Sequence, residues 1–509
     1  MPRKTAPLGL ALDPTSDVPL HRQIGHQIRA AILERRLAPG LKLPSSRLMA
    51  AELGCARGTI LLAMDQLAAE GYVVAQAASG LSVAANLPDD MLVSPKVAGR
   101  RSPPSPTTPV LSRRTSAALA AAALAAASVV TQAIEQTFED SPIAFPTGQP
   151  DRAAFPYALW AKLLEREWRK PSWAIAGALH PFGHPGLRNA IASYLGMARG
   201  FRCEGSTVVV TSGMRQSLSL FAGLILDAGQ EAWIEEPGFI GTREAMAMAE
   251  VEAVPVPIDA QGFSVDAASK RAPRARLAVV APSHQFPLGT VMGLQRRLEL
   301  LSWAERTGSW IAEDDFDGEY RYAGRPLAPL RALDRTGRVA YLGSFSKLLF
   351  PALRLSFIVL PASLAAAAER IMIGTAARAS LLGQGALAHF ITDGHLAAHL
   401  RRTRLLYAER QQALIAAADR PLRGLLDIAP DSGGMHLIAR PSAAIAATFD
   451  DQAITAACAA RGVSVSPLSA CYAGRTRKHG LILGYAGTPE KDMPSAVAAL
   501  RSAVRARAE

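Results

Sequence analysis

The stretch SFSKLLFPALRLS, residues 344–356, constrains this 509-residue chain more than any other. An apolar run from Val339 to Leu342 delivers the chain to Gly343, and Ser344, Ser346 and Lys347 follow. Arg354 stands a little further on, in a segment otherwise largely apolar. A lysine that forms an imine with an aldehyde must sit in a dry pocket, because burial disfavours its charged form. Two hydroxyls and a guanidinium close by suit a phosphate group. A strand end with a solvated lysine and a structural arginine is the other reading open to this stretch.

Upstream, WIAEDDFDGEYRY (residues 310–322) starts as a buried strand and ends in a cluster of carboxylates. A carboxylate at the C-terminal end of a strand lies where open α/β sheets place ligands. Asp314, facing a protonated pyridine nitrogen, would keep that ring electron-withdrawing. A solvated acidic loop is the alternative.

Other segments repeat a strand-then-turn pattern. TVVVTSGMRQS (207–217) predicts a strand, the turn Ser212-Gly213-Met214 and a helix, whose first amides would form an anion site. Any βα unit has such a turn, so the motif gains its weight from Arg354 and the serines. WIEEPGF ends in Phe239, and AVVAPSHQFPLGT (278–290) carries His284, either a general acid–base or a hydrogen-bonded structural histidine. Such repeats predict an α/β fold, a doubly wound, mostly parallel sheet with ligands at its C-terminal edge. Helices dominate after Leu360, and the last hundred or so residues read as a smaller α+β domain.

The first eighty or so residues are organised differently. Leu20, Ile24, Ile28 and Ile32 recur every four positions and mark one face of a helix. Ser45 or Ser46 caps a second, short helix that Gly54 stops. A third, beginning near Ala56 or Arg57, carries Ile60, Met64 and Leu67 on one face; a small β-ribbon follows. Two helices joined by a tight glycine turn and followed by a hairpin make a winged helix-turn-helix, whose third helix places Arg57 and Thr59 at the major groove. Arg47 is set to meet the backbone. A three-helix domain used for protein contacts is the bland alternative.

Composition agrees with a polyanionic partner: the net charge is +12. The four cysteines form no C-x-x-C pair, which excludes a zinc ribbon and argues for a reducing cytoplasm. Neither a signal peptide nor a membrane span is expected: Pro7, Gly9 and Pro14 interrupt the start, and the apolar run 117–130 is too short. Residues 86–140, rich in Pro, Ala and Ser, read as a flexible linker between a DNA-binding domain at 1–85 and a large domain at 141–509.

Residues from about Pro146 onward resemble the fold-type I, pyridoxal-phosphate-dependent aminotransferases. PLHRQI, LAPGLKLPSSRLMAAELG, ARGTI and LAAEGYV resemble the GntR-type winged helix-turn-helix. That pairing resembles the MocR-type transcriptional regulators. The resemblance implies pyridoxal 5′-phosphate as an internal aldimine on Lys347, with Asp314 on the ring nitrogen and Phe239 stacked on the ring. Ser344, Arg354 and Ser212, Gly213 and Met214 would hold the phosphate. Phe316 stands where a tyrosine commonly donates to the cofactor's 3′-oxygen, which predicts an imine that stays protonated to higher pH. Phe182 likewise replaces a tyrosine, and the wing QAASGLSV lacks the usual arginine and glycine pair.

DNA contacts are implied at Ser45, Arg47, Arg57 and Thr59. The family's small domain supplies an arginine for a substrate carboxylate; Arg475 and Arg477 are candidates here, Arg440 a weaker one. The implied function is a homodimeric, cytoplasmic regulator of promoter DNA. An amine or amino-acid effector would displace Lys347 by forming an external aldimine, with at most weak transaminase activity. A working aminotransferase with a DNA-binding appendage, or a sensor of pyridoxal phosphate controlling vitamin B6 metabolism, are the alternatives.

Overall fold

The computed structural model describes residues 9–16, 18–76, 80–85, 112, 115–117, 119, 144–169, 180–324, 328–375, 377–474 and 477–508. The chain separates into two compact units, Met1–Pro109 and Val110–Glu509. The wing tip, most of the linker and Arg475 lie outside the described residues.

In the first unit, α1 (Leu20–Leu33), α2 (Ser46–Leu53) and α3 (Arg57–Ala69) precede the ribbon β1 (Val73–Gln76) and β2 (Gly80–Val83). The four-residue spacing does what it predicts: Ile24, Ile28 and Ile32 are fully buried in one core with Ile60, Met64 and Leu67 of α3. Ser45 caps α2 by accepting the Leu48 N–H at 3.3 Å. Gly54 ends it in the left-handed conformation, at φ 62°, that a side chain resists. The Leu43 N–H donates to Leu81 O at 2.9 Å, fastening the segment before α2 to β2.

The second unit is built on an eight-stranded sheet. In chain order its strands are β3 (Val208–Thr211), β4 (Glu231–Glu236), β5 (Glu252–Asp259), β6 (Gly262–Phe263), β7 (Leu277–Val280), β8 (Trp310–Asp315), β9 (Val339–Ser344) and β10 (Ser356–Val359). Their spatial order is β3-β10-β9-β8-β7-β4-β5-β6. The run from β9 to β5 is parallel, whereas β10 is antiparallel to both β9 and β3. Chain length explains that departure from a uniform parallel sheet. Parallel neighbours need a crossover of roughly a dozen residues or more, and the link 345–355 is too short to make one. Lys347 therefore lies in a return loop at the sheet edge. Register sets Asp315 beside Gly343 and Ser344 beside Ser356, which in turn pairs with Thr211. The ends of β3, β8 and β9 thus meet at one place.

The smaller lobe holds β11 (Leu426–Ile428), β12 (His436–Pro441), β13 (Ser466–Pro467) and β14 (Leu481–Gly484), antiparallel in the order β11-β12-β14-β13. Phe145 O accepts the Gly484 N–H at 3.0 Å, so the segment entering this unit runs along β14 toward the sheet edge. Among the described residues no helix is long and apolar enough to cross a membrane.

The N-terminal core is small, so one deletion in it should matter. Replacing the fully buried Ile28 by alanine should cost about 2–5 kcal/mol and lower the melting of the first unit alone. Calorimetry on the full chain checks this; a matching loss in the second unit would contradict independent cores.

Candidate functional site

The return loop after β9 directs Lys347 into a cavity of about 280 Å³ in the second unit. Its Nζ donates to Gly148 O at 2.9 Å. Gly148 has φ +68°, and a Cβ there would lie 2.5 Å from Nζ, so the amine's seat requires glycine. Burial holds the Lys347 pKa below its ordinary value, against the pull of Asp317 and Asp314. The result is an amine more readily neutral than a free lysine.

The acidic run of β8 is no solvated loop. Glu313, Asp314, Asp315 and Asp317 are all buried, and the two-residue period of the strand sends them to opposite faces. Asp314 and Phe316 face the cavity. Behind the strand, Glu313 accepts the Leu330 and Arg331 N–H groups at 2.8 Å, and Asp315 pairs with Arg199 at 3.0 Å. Like Asp315 Oδ1 behind the strand, Asp314 Oδ1 is buried with no hydrogen-bond partner among the described residues, but Asp314 faces the cavity. Burial, then the nearby Glu235, raises its pKa well above the carboxylate range. An unmet buried acceptor costs about 1–3 kcal/mol, a cost that a donor brought by a ligand would remove.

An anion cradle lies close by. The helix α6 (Met214–Ile225) follows α4 (Tyr157–Arg169) and α5 (Pro185–Ala198) in the chain. Gly213 precedes α6 without a side-chain cap, which leaves the first amides available to an anion. A Cβ on Gly213 would lie 4.0 Å from the Arg354 guanidinium. Arg354 is exposed, holds a left-handed φ of 50° and makes no ion pair among the described residues. Ser344 lines the cavity and accepts from Ser356 Oγ at 3.2 Å. Ser212 is differently engaged: its N–H and hydroxyl both donate to Gln216 Oε1, at 2.6 and 2.9 Å.

Phe239 and Phe316 both line the cavity, bridged by Phe286 at ring distances of 6.3 and 6.0 Å. Phe182 is buried in the core beside Val209 and lines no part of the cavity. His284 is held between two carboxylates. Nδ1 meets Asp317 at 3.1 Å and Nε2 meets Asp431, which precedes β12, at 3.4 Å. Burial opposes its charge, but the two aspartates prevail and push its pKa up to about 10. That is the structural reading of His284, as a clamp onto the smaller lobe.

Of the arginines expected to meet a carboxylate, Arg475 lies outside the described residues, and neither Arg477 nor Arg440 lines this cavity. Arg477 is turned to Gly474 O, and Arg440 borders a separate pocket with Tyr472. The cavity also takes Glu235 from the WIEEPGF stretch, and Thr147, Arg243, Ser466 and Ile482, none of which is singled out in the sequence.

A pyridoxal phosphate fits these residues. A protonated ring nitrogen answers the partnerless Asp314 oxygen, an aldehyde answers Lys347, and a phosphate answers Arg354, Ser344 and the start of α6.

In the first unit, Arg47 and Arg57 are exposed, and Arg57 Nε donates to Ser46 Oγ at 3.2 Å. Thr59 is half-buried in the first turn of α3, which has no side-chain cap. The Ser45 oxygen is occupied in capping, so its hydroxyl proton is what remains for another partner.

Residues 20–83 match the bacterial regulatory proteins of the gntR family, and residues 155–500 match aminotransferase class I and II. The chain is 40% identical to the probable rhizopine catabolism regulatory protein MocR of Rhizobium meliloti, over 97% of this chain and 95% of the relative. It is 30% identical to the pyridoxine biosynthesis transcriptional regulator PdxR of Corynebacterium glutamicum, over 98% and 99% of the two chains. Among solved structures it is similar to LysN, an alpha-aminoadipate aminotransferase from Thermus thermophilus complexed with N-(5′-phosphopyridoxyl)-L-leucine. There the TM-score is 0.65 and the identity 25%, over 74% of this chain and 94% of that one.

The clamp on His284 carries a pH signature. Its pKa rises from 6.5 to about 10 on folding, so its stabilisation is complete below 6.5 and lost as pH rises through 10. Urea unfolding should show wild type losing its advantage over His284→Gln across that window; a constant difference would contradict the clamp.

Proposed function

Because the chain belongs to the MocR-type transcriptional regulators, which join a GntR-type DNA-binding domain to an aminotransferase-like domain that binds pyridoxal phosphate, we propose that it senses an amine or amino acid at Lys347. The observation that carries this reading is one cavity holding both a desolvated amine and a partnerless buried carboxylate oxygen. Bound there, pyridoxal phosphate supplies an aldehyde that condenses reversibly with primary amines.

The protein's own residues do the rest. Asp314 would accept a hydrogen bond from a protonated ring nitrogen, and Phe239 and Phe316 would supply the apolar wall for the ring. Arg354, Ser344 and the amides of Gly213 and Met214 hold the phosphate, with Ser212 shaping that turn through Gln216. Lys347 would hold the cofactor's aldehyde carbon, and its amine is the group that an incoming primary amine would replace there. Desolvation lowers its affinity for a proton, which favours the neutral amine that attachment requires. A ligand shifts the protein only by its unequal affinity for two states. The clamp Asp317–His284–Asp431 ties the smaller lobe to the sheet edge and is where two such states would differ.

At the other end of the chain, Arg57 reads a base edge, Arg47 and Thr59 engage the backbone, and Ser45 sets the helix that carries Arg47. The protein acts in the cytoplasm as a homodimer on paired half-sites of promoter DNA. Absence of phenols at 182, 239 and 316 favours a ligand sensor over a fast transaminase. A second reading, response to the cofactor itself, has the pyridoxine-regulating relative behind it.

The test is binding to a duplex selected from random sequence, followed with and without pyridoxal phosphate and amines. Arg57→Ala should weaken specific binding about 10-fold or more, from a lost contact of roughly 1–3 kcal/mol, and leave cofactor absorbance unchanged. Unaltered affinity in that variant would remove Arg57 from base recognition.

A further inference from the structure

The surroundings of the Lys347 amine restrict what the sensed amine carries, an inference resting on the amine-sensing reading above. Next to Gly148, which accepts from Nζ, the Thr147 hydroxyl lies 3.0 Å from Ser466 Oγ and 3.3 Å from Ile482 O. The smaller lobe lines its side of the cavity with the Ser466 hydroxyl, His436, Cys471 and apolar groups such as Ile482, Met435 and Pro467. An α-amino acid whose nitrogen reached the Lys347 position would carry its carboxylate into these neighbours.

The described cations of the wall are committed elsewhere. Arg243 gives Nη2 to Ala470 O at 2.7 Å and Nη1 to Tyr472 O at 3.0 Å. Arg215 pairs with Glu244 and covers Phe239, 5.5 Å from its ring. His436 makes its contact with Pro287 O at 2.9 Å, and burial next to the charged His284 keeps it neutral. Arg440 and Arg477 stand outside the cavity. Glu235 and Asp314 line the same space and bring no positive charge to it. A ligand carboxylate would be desolvated beside two buried carboxyl groups, with the described arginines of the wall already engaged, and such burial is costly.

We propose that the effector is a primary amine lacking a carboxylate, its remainder hydroxylated or apolar, held against Thr147, Ser466 and Ile482. An α-amino acid is disfavoured by the wall itself.

The experiment titrates the absorbance of the full-length, cofactor-loaded protein with matched pairs: L-serine against 2-aminoethanol, and L-leucine against 3-methylbutylamine. Each carboxylate-free member should reach half-maximal change at a concentration at least about 10-fold lower, as expected for one unmatched buried charge. Ile482→Arg, which places a cation on that wall, should narrow or invert the ratio. Should that variant not fold, the wild-type ratios decide alone. Amino acids acting at equal or lower concentration than their amines would overturn the inference and leave amine sensing intact. If no compound of either kind perturbs a cofactor that is bound, amine sensing itself falls, and this inference with it.

Discussion

The Lys347 amine is held between two opposed influences. Removal from water lowers its affinity for a proton, while Asp317 and Asp314 raise it. With desolvation alone the chain would bury a neutral base beside unpaired acids; with the acids alone the lysine would be an inert ammonium. The net effect is downward, which favours attachment chemistry over that of a free lysine. β8 divides its carboxylates so that Asp314 faces the cavity while Asp315 is neutralised by Arg199 behind the sheet. Asp317 influences Lys347 and also anchors His284.

Topology puts the opposed groups within reach. The link between β9 and β10 is too short for a crossover, so the chain turns back at the sheet edge and leaves Lys347 there. The same edge receives the end of β3 with Gly213 and the end of β8 with Asp314. The smaller lobe closes the remaining side through β14, along which the Gly148 segment runs. A Cβ at Gly484 would collide with Pro146 O, so that approach is fixed by backbone contact.

Much of this was legible in the residues. The lysine stretch, the acidic strand end and the glycine turn before α6 each carry local chemistry, and the helix-turn-helix follows from a four-residue apolar period and a glycine stop. What escaped was whatever depends on distant pairing. Thr147, Ser466 and Ile482 are ordinary residues that acquire meaning only where segments far apart in sequence meet. The acidic run could be read as solvated because charge spacing does not reveal whether helices cover both faces of a strand. The substrate-side arginines were sought by residue type; of the described ones, Arg477 turns to a carbonyl and Arg440 borders a separate pocket. The antiparallel β10 was implicit in the length of its preceding link.

The central claim concerns one covalent bond, and reduction captures it directly. Full-length protein loaded with pyridoxal phosphate is treated with borohydride, digested and mapped. The account predicts a stable pyridoxyl adduct on the peptide containing Lys347, absent from Lys347→Ala. Label on a different lysine, or bound cofactor that reduction leaves freely dialysable, would contradict it.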